Sequence, residues 1–149
     1  MNLSQLWGLF TRALAVVLLA LPPPQALGAE GGGAVKKSGA SKLEKIAGSD
    51  IMRITLTAKA AERLDIKTGK TATDANGVMT APYAALFYDG KGRTWVYTNP
   101  EPLVYVRAPV VVDSIKGANV ILKEGPAAGT TVVVVGVAEL YGAESGIGK

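Results

Sequence analysis

The chain has 149 residues, of which 48% are hydrophobic and 19% charged, a balance that suits a folded core and excludes a charge-rich disordered polymer. Histidine and cysteine are both absent, which excludes disulfide frameworks, thiolate or imidazole metal sites, and Ser-His-Asp or Cys-His catalysis. The formal net charge of +4 is spread thinly, with one short basic doublet at Lys36-Lys37, so composition offers no nucleic-acid footprint.

Along the chain, Arg12 precedes the apolar run Ala13–Leu21, Pro22-Pro23-Pro24 stops any helix, and Ala26-Leu27-Gly28-Ala29 is a stretch of small residues. This order predicts a cleaved secretory signal peptide over residues 1–29. The apolar run falls well short of the roughly 20 residues that cross a bilayer as a helix. The expected location is therefore the periplasm or the cell exterior, with peripheral attachment to the inner membrane open. Residues 30–49 (EGGGAVKKSGASKLEKIAGS) show no apolar period and are predicted to be a flexible linker.

The folded body is then predicted over residues 50–142. Ile51–Thr57 alternates as a strand with Ile54 and Leu56 on one face. Thr57 is a suitable N-cap for a short helix over Ala58–Leu64, whose apolar residues share one face. Ile66–Thr73 reads as extended, and Asp74-Ala75-Asn76-Gly77 as a turn. Ala84–Tyr88 and Arg93–Thr98 flank Asp89-Gly90-Lys91-Gly92, a hairpin signal. Asn99-Pro100-Glu101-Pro102 predicts a corner, and Leu103–Val112 a strand pair or bent strand interrupted at Pro109. Val120–Lys123 is a further strand after a turn at Lys116-Gly117. Thr130–Val135 is apolar and β-branched, as in a strand buried on both faces. Val137–Tyr141 suits one helical turn, and residues 143–149 are predicted to be a flexible tail. Six or seven strands with one or two short helices make the predicted fold mainly β, a small sandwich or barrel-like domain.

No catalytic residue stands out. Asp89, Glu101, Asp113, Glu124, Glu139 and Glu144 fall in turns or at element ends, where carboxylates cap backbone amides. The glycines at 31–33 and 90–92 do not open a helix after a strand, so neither stretch is a phosphate loop. Met52 and Met79 are isolated and make no soft-metal site. Arg107, Lys116 and Lys123 are too scattered for a strong headgroup-binding patch. No enzyme activity, cofactor or metal is therefore expected. The aromatic hairpin is the remaining candidate for binding: its rings either fill the core or form a stacking platform for a sugar or peptide.

Two stretches carry a family resemblance. Ala81–Tyr97 (APYAALFYDGKGRTWVY), then Val104–Val110 (VYVRAPV), then Gly117–Val133 (GANVILKEGPAAGTTVV) and Ala138-Glu139-Leu140-Tyr141-Gly142 resemble, in that order, the C-terminal part of periplasmic adaptor proteins of efflux pumps, the membrane fusion proteins of hemolysin-secretion D type. Ile54–Thr68 (ITLTAKAAERLDIKT) is similar to the entry segment of the same adaptors. In that family both ends of the chain build the membrane-proximal domain after a long excursion through lipoyl, barrel and hairpin domains. Here Thr73–Val78 joins them directly. The resemblance implies a non-enzymatic domain that docks on an inner-membrane transporter, with self-association open and Tyr83, Trp95, Tyr97 and Arg107 as candidate partner-binding residues. The rival expectations are a carbohydrate- or peptide-binding module built on the aromatic hairpin, and a truncated adaptor remnant.

Overall fold

A computed structural model describes residues 36–146. Strands β1 (Lys36–Ser38) and β2 (Ser41–Lys45) form a hairpin, and β2 pairs antiparallel with β3 (Met52–Leu56), placing Leu43 opposite Ile54. This corrects the expected linker, because the sheet already includes residues 36–45 and the folded body does not begin at residue 50. The misreading has a simple cause. Leu43 is the single buried apolar residue of β2, so no period is visible, and the strand is held by its backbone ladder to β3. The expected signal peptide and residues 30–35 lie outside the described residues.

Helix α1 (Ala58–Arg63) begins where Thr57 accepts the Ala60 amide on its hydroxyl at 3.2 Å, as the capping pattern predicts. The chain continues through β4 (Lys67–Lys70) and β5 (Ala72–Thr73) to a turn in which the Asp74 carboxylate accepts the Asn76 and Val78 amides at 2.8 and 2.9 Å. After β6 (Met79–Pro82), Tyr83–Ala85 forms a 3₁₀ turn, and only Phe87–Tyr88 of the expected Ala84–Tyr88 strand is paired in a sheet, as β7. Strand β8 (Thr94–Glu101) runs through Pro100 rather than turning there, with a bulge between Thr98 and Glu101. The reversal comes at residues 102–103. It is held by the Asn99 side-chain amide, which donates to the Glu101 and Val104 carbonyls at 2.7 and 2.8 Å.

The predicted interruption at Pro109 is a change of sheet: β9 (Val104–Pro109) pairs with β8, whereas β10 (Val111–Lys116) pairs with β11 (Asn119–Glu124). Strand β12 (Thr131–Val135) follows, and α2 (Val137–Ser145) is longer than one turn, covering the first residues of the expected tail. Among the described residues there are twelve strands in two antiparallel sheets. The larger has the order β1-β2-β3-β9-β8-β12-β4 with β7 beside β8, and the smaller is β10-β11-β6-β5. The fold is mainly β as expected, with more and shorter strands than the pattern suggested.

The larger sheet is the middle layer. On one face, Val96 and Val132 pack with Ala81, Val120 and Leu122 of the smaller sheet to form an aliphatic core. On the other face, Ile54, Leu56, Tyr97, Tyr105 and Val133 pack against Ala60 and Leu140 of the two helices. Strand β12 shows the alternation directly: Val132 faces the smaller sheet, Val133 faces the helices, and both are fully buried. Among the described residues no helix is long and apolar enough to cross a membrane.

Candidate functional site

Three of the four sequence-derived candidates gather on the helix-covered face, where β8 and β9 set Tyr97 opposite Arg107. Trp95 lies two residues before Tyr97, so strand alternation places its ring on the same face. Trp95 and Tyr97 are interior, at 7% and 0% exposure. Phe87 stacks on Tyr97 with ring centroids 5.0 Å apart and planes 6° from parallel, and Tyr141 of α2 closes on Phe87 at 5.3 Å. The Arg107 guanidinium sits 4.5 Å above the Trp95 ring, and that of Arg93 lies 5.2 Å from it. No open stacking platform remains on these rings, which corrects their assignment as direct partner contacts. Tyr83 lies elsewhere, in the 3₁₀ turn beside the smaller sheet, with its amide bonded to the Ala118 carbonyl at 2.8 Å; it is half-exposed at 48%.

Two carboxylates organise the cluster. Asp89 closes the β7–β8 turn: one oxygen accepts the Lys91 and Arg93 amides at 2.9 and 3.0 Å. The other accepts Arg93 Nε at 2.7 Å and the Trp95 indole at 3.0 Å. Burial alone would raise the Asp89 carboxyl, but these donors, led by the Arg93 amide, outweigh it and hold the group well below the usual carboxylate range. The tight turn it caps places Gly92 at a φ of 75°, a region that glycine enters without a side-chain clash.

Glu144, near the end of α2, has a side chain only 4% exposed. One oxygen accepts the Tyr97 hydroxyl at 2.5 Å, and the other accepts the Met52 amide at 3.1 Å. Arg107 Nε lies 3.0 Å from that second oxygen, a close ion pair whose N–H is not aligned for a hydrogen bond. Arg107 is further held by a 3.2 Å bond from its terminal nitrogen to the Asp50 carbonyl. One helix residue thus ties together β3, β8 and β9. Burial and then the bond to Glu144 push the Tyr97 hydroxyl far above the ordinary phenol range, so it stays protonated and donates. Burial also raises Tyr105.

Sequence reading placed Asp89 in its capping role but assigned Glu144 to an element end. Its partners lie 47 and 92 residues away in the chain, and no local pattern announces such separations. Beside this cluster, between the β7–β8 turn and α2, opens a cleft of about 330 Å³. The four donors on Asp89 and the three partners of Glu144 occupy these carboxylates, leaving neither oriented as a base towards the cleft. Among the described residues no group of three or more Asp or Glu side chains is placed to hold a metal ion. Comparison with protein-family models, with curated proteins and with solved structures finds no match to this chain.

Proposed function

We propose that this chain is an exported, non-enzymatic β domain that docks on the periplasmic face of an inner-membrane transporter, in the manner of the membrane-proximal domain of an efflux-pump adaptor. One observation carries the reading. The two segments that resemble opposite ends of an adaptor lie side by side: β3 pairs with β9 through Arg53–Val106, Ile54–Tyr105 and Thr55–Val104. The Leu56 amide extends this junction by donating to the Leu103 carbonyl at 2.9 Å. The excursion that separates such segments in a full adaptor is replaced here by the short stretch Thr73–Val78, which holds the Asp74 turn.

With Trp95, Tyr97 and Arg107 serving the interior, the docking contact falls to exposed apolar residues of the β body. Tyr83, Tyr88, Val111, Ile115 and Val135 are the large ones, at 48, 58, 43, 50 and 39% exposure. The test is affinity capture of the full chain, tagged at its C terminus, from detergent-solubilised membranes of a cell that exports it. Recovery of an inner-membrane transporter subunit, lost when Tyr83 and Tyr88 are both changed to Ser in a variant that melts normally, supports docking. A tagged chain that is exported and folded but elutes alone contradicts it.

A further inference from the structure

We propose that the cleft between the β7–β8 turn and the end of α2 is a binding site for a small organic monocarboxylate with an apolar tail. At about 330 Å³ the cleft falls within the range of small-molecule sites and is far larger than a bare ion needs. Its wall carries Lys91, Arg93 and Arg107, with Met52 and with Tyr141, whose hydroxyl accepts the Gly90 amide at 3.3 Å.

The cations and the carboxylates of this wall are placed differently. The Asp89 and Glu144 side chains are each 4% exposed and face internal donors. The Arg93 side chain is 53% exposed, and its bond to Asp89 uses Nε, leaving the terminal nitrogens of the fork for a ligand. Lys91 forms no ion pair among the described residues, although its backbone amide is fixed by Asp89. Arg93 is therefore a preorganised donor whose base is already braced by a buried carboxylate, the arrangement that favours bidentate recognition of a planar carboxylate.

Charge balance selects among anions. The three cations of the lining are matched in number by Asp50, Asp89 and Glu144, so the Arg93 fork can offset one ligand charge locally while the second charge of a dianion such as phosphate meets carboxylate repulsion with no further exposed guanidinium to offset it. A single negative charge engages the exposed fork at lower cost. The remaining volume, beside the Met52 side chain and the Tyr141 ring, suits an apolar group rather than a second charge.

The site is independent of transporter docking, and its test uses the purified chain alone. Benzoate, acetate and inorganic phosphate are titrated separately at constant ionic strength, following the amide signals of Gly90 and Lys91 and the Nε–H signal of Arg93 by NMR. Saturable shifts with benzoate are expected, with weaker binding of acetate and none of phosphate. Arg93→Gln is expected to weaken benzoate about tenfold or more, as for loss of a charged hydrogen bond. Lys91→Gln should weaken it by a smaller factor without changing the melting temperature, which keeps the test valid if Arg93→Gln perturbs the turn. Absence of saturable shifts, phosphate binding as tight as benzoate, or affinity unchanged in Lys91→Gln and in a folded Arg93→Gln would overturn the proposal.

Discussion

The two faces of the larger sheet solve the same burial problem by different chemistry. Towards the smaller sheet the core is made of alanine, valine and leucine, namely Ala81, Ala85, Val96, Val110, Val120, Leu122 and Val132. Towards the helices the residues are larger and the packing is completed by polar groups: Tyr97 and Tyr105 lie among aliphatics, and Glu144 bonds or pairs with Tyr97, Met52 and Arg107. Sheet-on-sheet packing needs only alternation and matched volumes, since both ladders satisfy their own backbone groups. A nine-residue helix laid on a sheet brings fewer apolar residues, and a specific polar latch fixes where it sits. One face is held by apolar area alone, and the other by apolar area to which a few directed bonds are added.

The sharpest way to break this contrast is to remove the latch. Glu144→Ala leaves the Arg107 charge without its carboxylate, the Tyr97 hydroxyl without its acceptor and the Met52 amide without a partner. It should destabilise the fold by about 3–5 kcal/mol in chemical denaturation, the range for breaking a buried ion pair from one side. Leu122→Ala probes the other face by opening a cavity between the sheets and should cost about 2–5 kcal/mol. The two residues share no partner across the sheet, so the double variant should equal the sum of the singles to within about 0.5 kcal/mol. Strong non-additivity would show that the two faces are not separate systems.

Gly136 tests how α2 is launched onto its face. Its φ is 91°, and a Cβ there would stand 2.1 Å from Ile66 Cδ1, so alanine meets both a strained backbone and an occupied space. Gly136→Ala should cost about 1–2 kcal/mol from the backbone alone, with the displacement of Ile66 adding to it in thermal melts.

How far these features were legible depends on whether their cause is local. The Thr57 cap, the Asp74 turn and the Asp89 hairpin were readable because donor and acceptor lie within four residues of each other. The twofold burial of Val132 and Val133 was readable because an unbroken β-branched run has few other stable placements. Strand β2 was hidden by carrying one buried apolar residue among polar ones, and the turn after β8 was misplaced because Pro100 is tolerated within a strand that bulges there. The roles of Glu144 and Arg107 were not readable at all. A carboxylate near the chain's end looks the same in sequence whether it faces solvent or anchors a helix.

Acid tests the hairpin lock. The Asp89 carboxyl is held below its unfolded value, so its contribution to stability is present above about pH 4 and is lost as the pH falls through the folded-state value. Melting temperatures of the unaltered protein should therefore drop between pH 4 and 2. Asp89→Asn should start lower at pH 7 and decline less over that interval. The smallest effect is expected at Tyr83, where Tyr83→Ser should change stability by no more than about 0.5 kcal/mol, because half of the side chain is already in solvent.

The pairing of β3 with β9 is what joins the two adaptor-like segments, and solution NMR reads it without reference to any partner. Backbone NOEs linking Ile54 to Tyr105 and Arg53 to Val106, with slow amide exchange at Leu56, are the predicted result. A folded chain that lacks these contacts, with β3 exchanging rapidly while β8 and β12 stay protected, would contradict the account.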